Sequence, residues 1–119
     1  MIEIEKVALM NLLYDFYGQL LTERQKNFIE LYYCQNLSLG EIADEYAVTR
    51  QAVHDTLKRA EQLLCEYEKK LGLVEKFNND REKLGVAVTL LEECERSYQD
   101  ERIGKVREIL QEVIGTAGK

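Results

Sequence analysis

Apolar residues recur every three or four positions along most of this chain, a spacing typical of amphipathic helices. A first helix is predicted over residues 4–17, with Gly18 as its stop. Thr22 and Gln25 form a capping box that opens a second helix, which runs to about Cys34. The residues expected to be buried are Leu9, Leu12, Leu13, Phe16 and Leu20 from the first helix, and Phe28, Ile29, Leu31 and either Tyr32 or Tyr33 from the second.

The stretch SLGEIADEYAVTRQAVHDTLKRA, residues 38–60, predicts two short helices joined by a tight turn over residues 45–48. Ser38 and Glu41 complete a capping box for the first of these helices, and Thr49 can cap the second. The small Ala43 suits a close crossing of the two. This is the pattern of a helix-turn-helix, which the first two helices would brace. The residues expected to face inward are Leu39, Ile42, Ala43, Val48, Val53 and Leu57.

The second helix of this pair is the candidate reader of nucleic acid, because the N-terminal residues of such a helix lie nearest to the bases and phosphates. Thr49 and Arg50 lie where backbone N–H groups and the positive helix end can bind a phosphate. Gln51 and His54 lie one turn apart and can meet base edges. As an alternative, this polar face is merely solvated and the helix pair is a scaffold or a protein-interaction module. The predicted nucleic-acid-binding residues are Thr49, Arg50, Gln51, His54, Lys58 and Arg59.

Heptad spacing extends the predicted reader helix well beyond the turn. Gly72 is a candidate stop, a continuous or kinked helix is the alternative, and residues 78–80 are predicted to be the weaker point. Two further helices are expected around residues 82–98 and 101–114, and Gly115, Gly118 and Lys119 are expected to fray. The chain is thus divided into a helix-turn-helix domain over residues 1–71 and a C-terminal helical extension over residues 72–119. The apolar positions involved are Leu57, Ala60, Leu64, Tyr67, Leu71 and Val74, then Phe77, Leu84, Val88, Leu91, Cys94 and Tyr98, then Ile103, Val106, Ile109, Leu110 and Val113.

The apolar stripes of the C-terminal extension have two interpretations. They either pack onto the helix-turn-helix domain or form a seam for a homodimer or another partner.

Composition agrees with an all-α fold without strands, because the chain has no proline, the strongest helix breaker.

The net charge of −6 argues against a protein that coats nucleic acid non-specifically, because affinity for the backbone comes from lysines and arginines that neutralise phosphates. Any nucleic-acid binding is expected to be local and salt-sensitive, or to depend on a partner or a dimer.

No catalytic residue, metal site or cofactor is expected. The three cysteines, Cys34, Cys65 and Cys94, form no CxxC pair, and a single histidine leaves zinc few ligands, so reduced thiols are predicted. Glycine-rich phosphate loops are absent from the sequence. Glu3 and Glu5 occupy the region where a signal peptide is positively charged, and no apolar run approaches the ~20 residues of a membrane span, so a cytoplasmic location is expected.

Residues 21–60 resemble the last DNA-binding region of bacterial sigma factors, region 4, through LTERQ, SLGEIA and VTRQAVHDTLKRA. A closer resemblance is to the YlxM family, small helix-turn-helix proteins of Gram-positive-type bacteria. The motifs that carry it are FYGQLLTERQ, LYY, SLGEIADEY, TRQAVHDTLKR and EQLLCEYEKKLGLVEKF. This resemblance covers residues 9–77 well and the last forty residues loosely.

The YlxM resemblance implies a role in, or regulation of, the signal recognition particle pathway, with the particle's GTPase or receptor as a candidate protein partner. DNA and structured RNA both stay open as targets. The sigma-like contacts would fall on the same six residues of the reader helix. Two departures from the pattern are Ala47 at the usual turn glycine, and the acids Asp55, Asp44 and Glu45, which repel phosphate.

Overall fold

The computed structural model describes residues 4–117, and within that range the fold is all-α, without strands, as predicted. A 3₁₀ turn over Gly18–Leu20 follows the first helix, and a π-helical turn over Glu30–Cys34 follows the second. The chain divides into two compact units, the first ending at Val74 and the second beginning at Glu75. The α-helices are α1 (Ile4–Tyr17), α2 (Glu23–Ile29), α3 (Leu39–Tyr46), α4 (Arg50–Leu71), α5 (Leu73–Ser97) and α6 (Glu101–Ala117).

Helix α1 has the predicted length but a different buried face. Met10, Leu13 and Tyr17 are buried, whereas Leu9 and Leu20 are 47% and 56% exposed. The predicted stripe was therefore wrong at both leucines. Apolar residues surround much of this helix, so spacing alone cannot fix which side faces the core.

The end of α1 also differs from the prediction. Gly18 does not stop the helix with a left-handed residue but leads into the 3₁₀ turn. Gly18 is buried, and a Cβ atom there would lie 2.8 Å from the ring of Tyr14. The glycine is required by this close packing and not by a helix cap.

Helix α2 begins with the predicted capping box. The hydroxyl of Thr22 accepts a hydrogen bond from the backbone N–H of Gln25 at 3.2 Å, and the Gln25 side chain accepts one from the N–H of Thr22 at 3.0 Å. The π-helical turn carries the helix on to Cys34, the predicted end. Of the aromatic residues, Phe28 and Tyr33 are buried and Tyr32 is half-buried.

The helix-turn-helix prediction is confirmed by α3 and α4. Ser38 and Glu41 form the capping box of α3, with hydrogen bonds of 3.1 and 3.0 Å. Helix α3 continues to Tyr46, so the turn is shorter than predicted, and Ala47 closes it in a left-handed conformation at φ 53°. The inward residues Ile42, Ala43, Val53 and Leu57 are buried, and Leu39 and Val48 pack against the same core.

Helix α4 ends at Gly72, which is left-handed at φ 63°. The predicted weaker point at Asn78, Asn79 and Asp80 was wrong, because these residues lie inside α5. An ion pair of 2.7 Å between Lys76 and Asp80, one turn apart, supports the helix there.

The second unit contains α5 from Glu75 onward and α6. Asp100 begins α6 by accepting a hydrogen bond from the backbone N–H of Arg102 at 2.9 Å. An ion pair between Glu95 and Arg107 joins the two helices. Helix α6 runs to Ala117 and includes Gly115, so fraying at Gly115 was wrong, and Gly118 and Lys119 lie outside the described residues.

Candidate nucleic-acid interface

The start of α4 is built by Thr49, whose backbone is extended and whose hydroxyl accepts a hydrogen bond from the N–H of Ala52 at 3.0 Å. This cap leaves other N–H groups of the first turn pointing out of the helix end, as at helix starts in general. Together with the positive end of the helix dipole, these groups favour an anion such as a phosphate. Thr49 is exposed, so this helix end is open to solvent.

Beyond Thr49, the exposed side chains of α4 form two rows that run side by side along the helix. We call them the basic row and the mixed row. Residues four apart lie on nearly the same side of a helix, and each residue advances about 100°. Arg50 and Arg59, nine residues apart, therefore lie on opposite sides of α4, so the predicted residues form a broad surface and not one ridge. The basic row consists of Arg50, His54 and Lys58, and the mixed row consists of Gln51, Asp55 and Arg59.

The basic row lies beside the first turn of α3. Gly40 faces Arg50, and a Cβ atom at Gly40 would lie 3.7 Å from the Nε atom of Arg50. Further along the row, His54 and Lys58 line a cleft whose other walls come from α1, the π-helical turn and α3. The cleft is lined by Lys6, Tyr32, Tyr33, Leu39, His54, Leu57, Lys58 and Glu61.

Lys6 was not among the predicted site residues, and Tyr32 was considered only as a core residue, although both line the cleft with His54 and Lys58. Lys6 forms an ion pair of 3.2 Å with Glu61, which also accepts a hydrogen bond of 2.8 Å from the hydroxyl of Tyr33. Burial and this hydrogen bond raise the pKa of Tyr33 far above its ordinary value, so its hydroxyl stays a donor. No local signal reveals Lys6, because its place depends on how α1 packs against α4.

Asp55 dominates the mixed row. Its carboxylate accepts a hydrogen bond of 2.9 Å from the side chain of Gln51 and lies 3.4 Å from the Nδ1 atom of His54. Two side chains predicted to read bases are thus held by an acid. Asp55 both repels phosphate and competes for these donors.

The basic side chains of Arg50, Lys58 and Arg59 are available to an anionic ligand. None of the three forms an ion pair within residues 4–117. By contrast, Arg102 and Arg107 in the second unit are bound to Asp100 and Glu95. The basic row therefore supplies two unneutralised cations on one side of α4, and the mixed row supplies one.

Across residues 4–117, no three histidine, cysteine, aspartate or glutamate side chains are grouped so that they could hold a metal ion. Cys34, Cys65 and Cys94 are free thiols at exposed positions. Among the helices in this range, none has the length and apolar character needed to cross a membrane.

Comparison with known proteins agrees with the helix-turn-helix geometry. The profile of the family UPF0122, described as "Putative helix-turn-helix protein, YlxM / p13 like", matches residues 4–109. The chain belongs to this family. The UPF0122 match spans most of each compact unit, and so it extends well beyond the helix-turn-helix.

Relatives within the UPF0122 family cover nearly the whole chain. A UPF0122 protein of Desulforamulus reducens is 57% identical over 105 residues, which are 88% of this chain and 90% of the relative. The UPF0122 protein YlxM of Bacillus subtilis is 44% identical over 110 residues, 92% of this chain and 97% of the relative. The YlxM resemblance inferred from the motifs is therefore confirmed.

Proposed function

We propose that this protein is a non-enzymatic, cytoplasmic regulator that binds nucleic acid through Thr49 and the two exposed rows of α4. The target is DNA or a structured RNA, and the regulator acts in, or on, the signal recognition particle pathway. Membership of a helix-turn-helix family supports the binding role. The link to the particle is what the YlxM resemblance implies.

The observation that carries this proposal is the free positive charge at the start of α4. Arg50, Lys58 and Arg59 are exposed, form no ion pair within the described residues, and follow a capped helix end that favours anions. Each lysine or arginine that neutralises a phosphate releases a counterion, which gives binding that weakens with salt. Three such cations correspond to a modest affinity, in keeping with the net charge of −6.

The test compares two double variants that lower the net charge equally. R50A/K58A removes both free cations of the basic row, whereas K69A/K70A removes two exposed lysines from the last turn of the same helix. Lys69 lies about 16 Å along α4 from Lys58, at 1.5 Å per residue. Binding is measured by fluorescence anisotropy with a labelled DNA duplex and, separately, with the RNA of the signal recognition particle.

We expect R50A/K58A to lose about tenfold or more in affinity at low salt and to reduce the slope of log affinity against log salt by about 2. The affinity of K69A/K70A and its dependence on salt are expected to stay close to those of the parent protein. Equal losses of affinity in both variants would show that binding depends only on the total charge. This result would contradict binding through the basic row and the mixed row of α4. The better of the two probes identifies the class of nucleic acid.

A second candidate function is a protein-interaction module that binds the particle's GTPase or receptor without reading nucleic acid. The feature that favours it is Asp55, which holds Gln51 on the surface that would otherwise meet bases. In this case, purified GTPase or receptor binds the protein and R50A/K58A equally well. Nucleic-acid affinity is then weak for both.

A further inference from the structure

Helix α6 has two apolar faces, of which only one is covered. The covered face contains Arg107, whose ion pair with Glu95 turns it toward α5. The other face carries Val106, Ile109 and Val113, which are 45%, 59% and 47% exposed. The half-buried residues of the covered face are Ile103, Arg107, Leu110 and Ile114.

The open face has the spacing of a helix-pairing seam. Val106, Ile109 and Val113 follow one another at intervals of three and four residues, as the a and d positions of a heptad do. In this register, Lys105 and Glu112 both occupy g positions along one edge of the seam. The opposite edge is formed by Ile103 and Leu110, which are already half-buried.

Lys105 and Glu112 carry opposite charges, and neither has a partner within the described residues. Both are exposed, and neither forms an ion pair or a side-chain hydrogen bond within residues 4–117. In antiparallel pairing of two identical helices, the g edge of one helix meets the g edge of the other. A helix with a basic residue at one g position and an acidic residue at the next is therefore complementary to itself.

We propose that α6 pairs antiparallel with α6 of a second copy of this chain, across a two-fold axis near residue 108. Val106 of each copy then packs against Ile109 of the other. Lys105 of each copy opposes Glu112 of the other, so the symmetric interface contains two equal ion pairs. Parallel pairing offers no such match, because Lys105 would face Leu110 of the second copy.

The seam covers only about two turns of helix, so the dimer is expected to be weak and to depend on concentration. This self-association does not rest on nucleic-acid binding by α4. The full chain is therefore studied alone by sedimentation equilibrium, from about 5 to about 500 µM, a range suited to a small interface.

Charge exchange provides the decisive variants. K105E creates two repulsive pairs in its own homodimer, and so does E112K, and each is expected to weaken dimerisation about tenfold. The double variant K105E/E112K restores both pairs and is expected to dimerise like the parent. A mixture of the two single variants should form mixed dimers in preference to either homodimer, because an acidic seam then meets a basic one.

Two further variants separate the seam from folding and from general charge. I109E places a charge in the apolar seam and is expected to abolish the dimer, while its circular dichroism and melting temperature stay those of the folded chain, because Ile109 is already exposed. K83E changes an exposed lysine of α5 by the same charge as K105E and should dimerise like the parent.

A parent chain that is monomeric at the highest concentration overturns the proposal. So does a dimer that persists in I109E, or single variants that show no preference for each other.

Discussion

The hydroxyl of Tyr17 donates a hydrogen bond of 2.6 Å to the carboxylate of Glu68, which joins the end of α1 to the last turns of α4. The same hydroxyl accepts a hydrogen bond from the backbone N–H of Leu73 at 3.1 Å, and Glu68 accepts one from the N–H of Val74 at 3.0 Å. The first N–H groups of a helix have no partner within it. Tyr17 and Glu68 thus satisfy two such groups at the start of α5, directly after the break at Gly72.

Replacing Tyr17 by phenylalanine is expected to lower the free energy of unfolding by about 2 kcal/mol, because a buried donor to a carboxylate is lost and the N–H of Leu73 is left without its partner. Chemical denaturation followed by circular dichroism measures this change. Tyr67 is the matched control, since its ring packs 6.0 Å from that of Tyr17 and its hydroxyl forms no hydrogen bond within the described residues. Equal losses in Y17F and Y67F would assign the effect to ring packing.

Replacing Ala47 by glycine is expected to stabilise the protein by about 1 kcal/mol, because a left-handed conformation is costly for a residue with a Cβ atom. Gly72 provides the reverse experiment. A Cβ atom there would meet nothing within 4 Å, so G72A tests the conformational cost alone and is expected to destabilise by about the same amount. Thermal and chemical unfolding of both variants check the pair. Loss of stability in A47G would mean that the turn gains more from chain stiffness than it loses in strain.

Stability is expected to fall as the pH rises above about 10, the ordinary pKa of tyrosine. Burial raises the pKa of Tyr14, Tyr17 and Tyr33 in the folded state, and hydrogen bonds to Glu30, Glu68 and Glu61 reinforce the shift. Above about pH 10 the unfolded chain releases protons that the folded chain retains. The stability that these tyrosines contribute is therefore complete below the pKa of the unfolded chain, and it is lost as the pH rises toward the pKa of the folded chain.

Absorbance of ionised tyrosine, followed together with circular dichroism, tests this alkaline transition. Part of the signal from the seven tyrosines should appear only as helix content is lost. Ionisation of all tyrosines in one step near pH 10, with the helices intact, would contradict the buried hydrogen bonds.

Replacing Asp55 by asparagine is expected to increase nucleic-acid affinity about fivefold at low salt, because removing one charge near a phosphate relieves about 1 kcal/mol of repulsion in water. Asparagine keeps the size of the side chain, so the helix should be unaffected. Anisotropy titrations at several salt concentrations measure the gain, which should shrink as salt screens the charge. E66Q removes an acid from an exposed position further along α4 and serves as the control.

The local features of this fold could be predicted from the sequence because each depends on residues three or four apart. Thr22, Ser38 and Thr49 cap their helices through hydrogen bonds to residues three positions later. The buried positions of α3 and of the start of α4 followed from the same short spacing. These residues are also the ones that place the basic row at the surface.

What the sequence could not predict depends on contacts between distant residues. The break at Gly72 is supported by Tyr17, which lies 56 positions before Leu73, whereas the polar run at residues 78–80 stays helical. Lys6 reaches the cleft beside His54 only through packing of α1. The affinity of the six predicted residues for nucleic acid stays a prediction that the experiments above address.

Gly40 of α3 lies beside the side chain of Arg50, which belongs to α4. A Cβ atom at Gly40 would lie 3.7 Å from the Nε atom of Arg50, so the two residues are in van der Waals reach of each other. Alanine would still fit at that distance, but a branched or longer side chain would have to push the arginine aside. A larger side chain at position 40 of α3 would therefore change the position of the Arg50 guanidinium group, without replacing any residue of α4 that would contact a ligand.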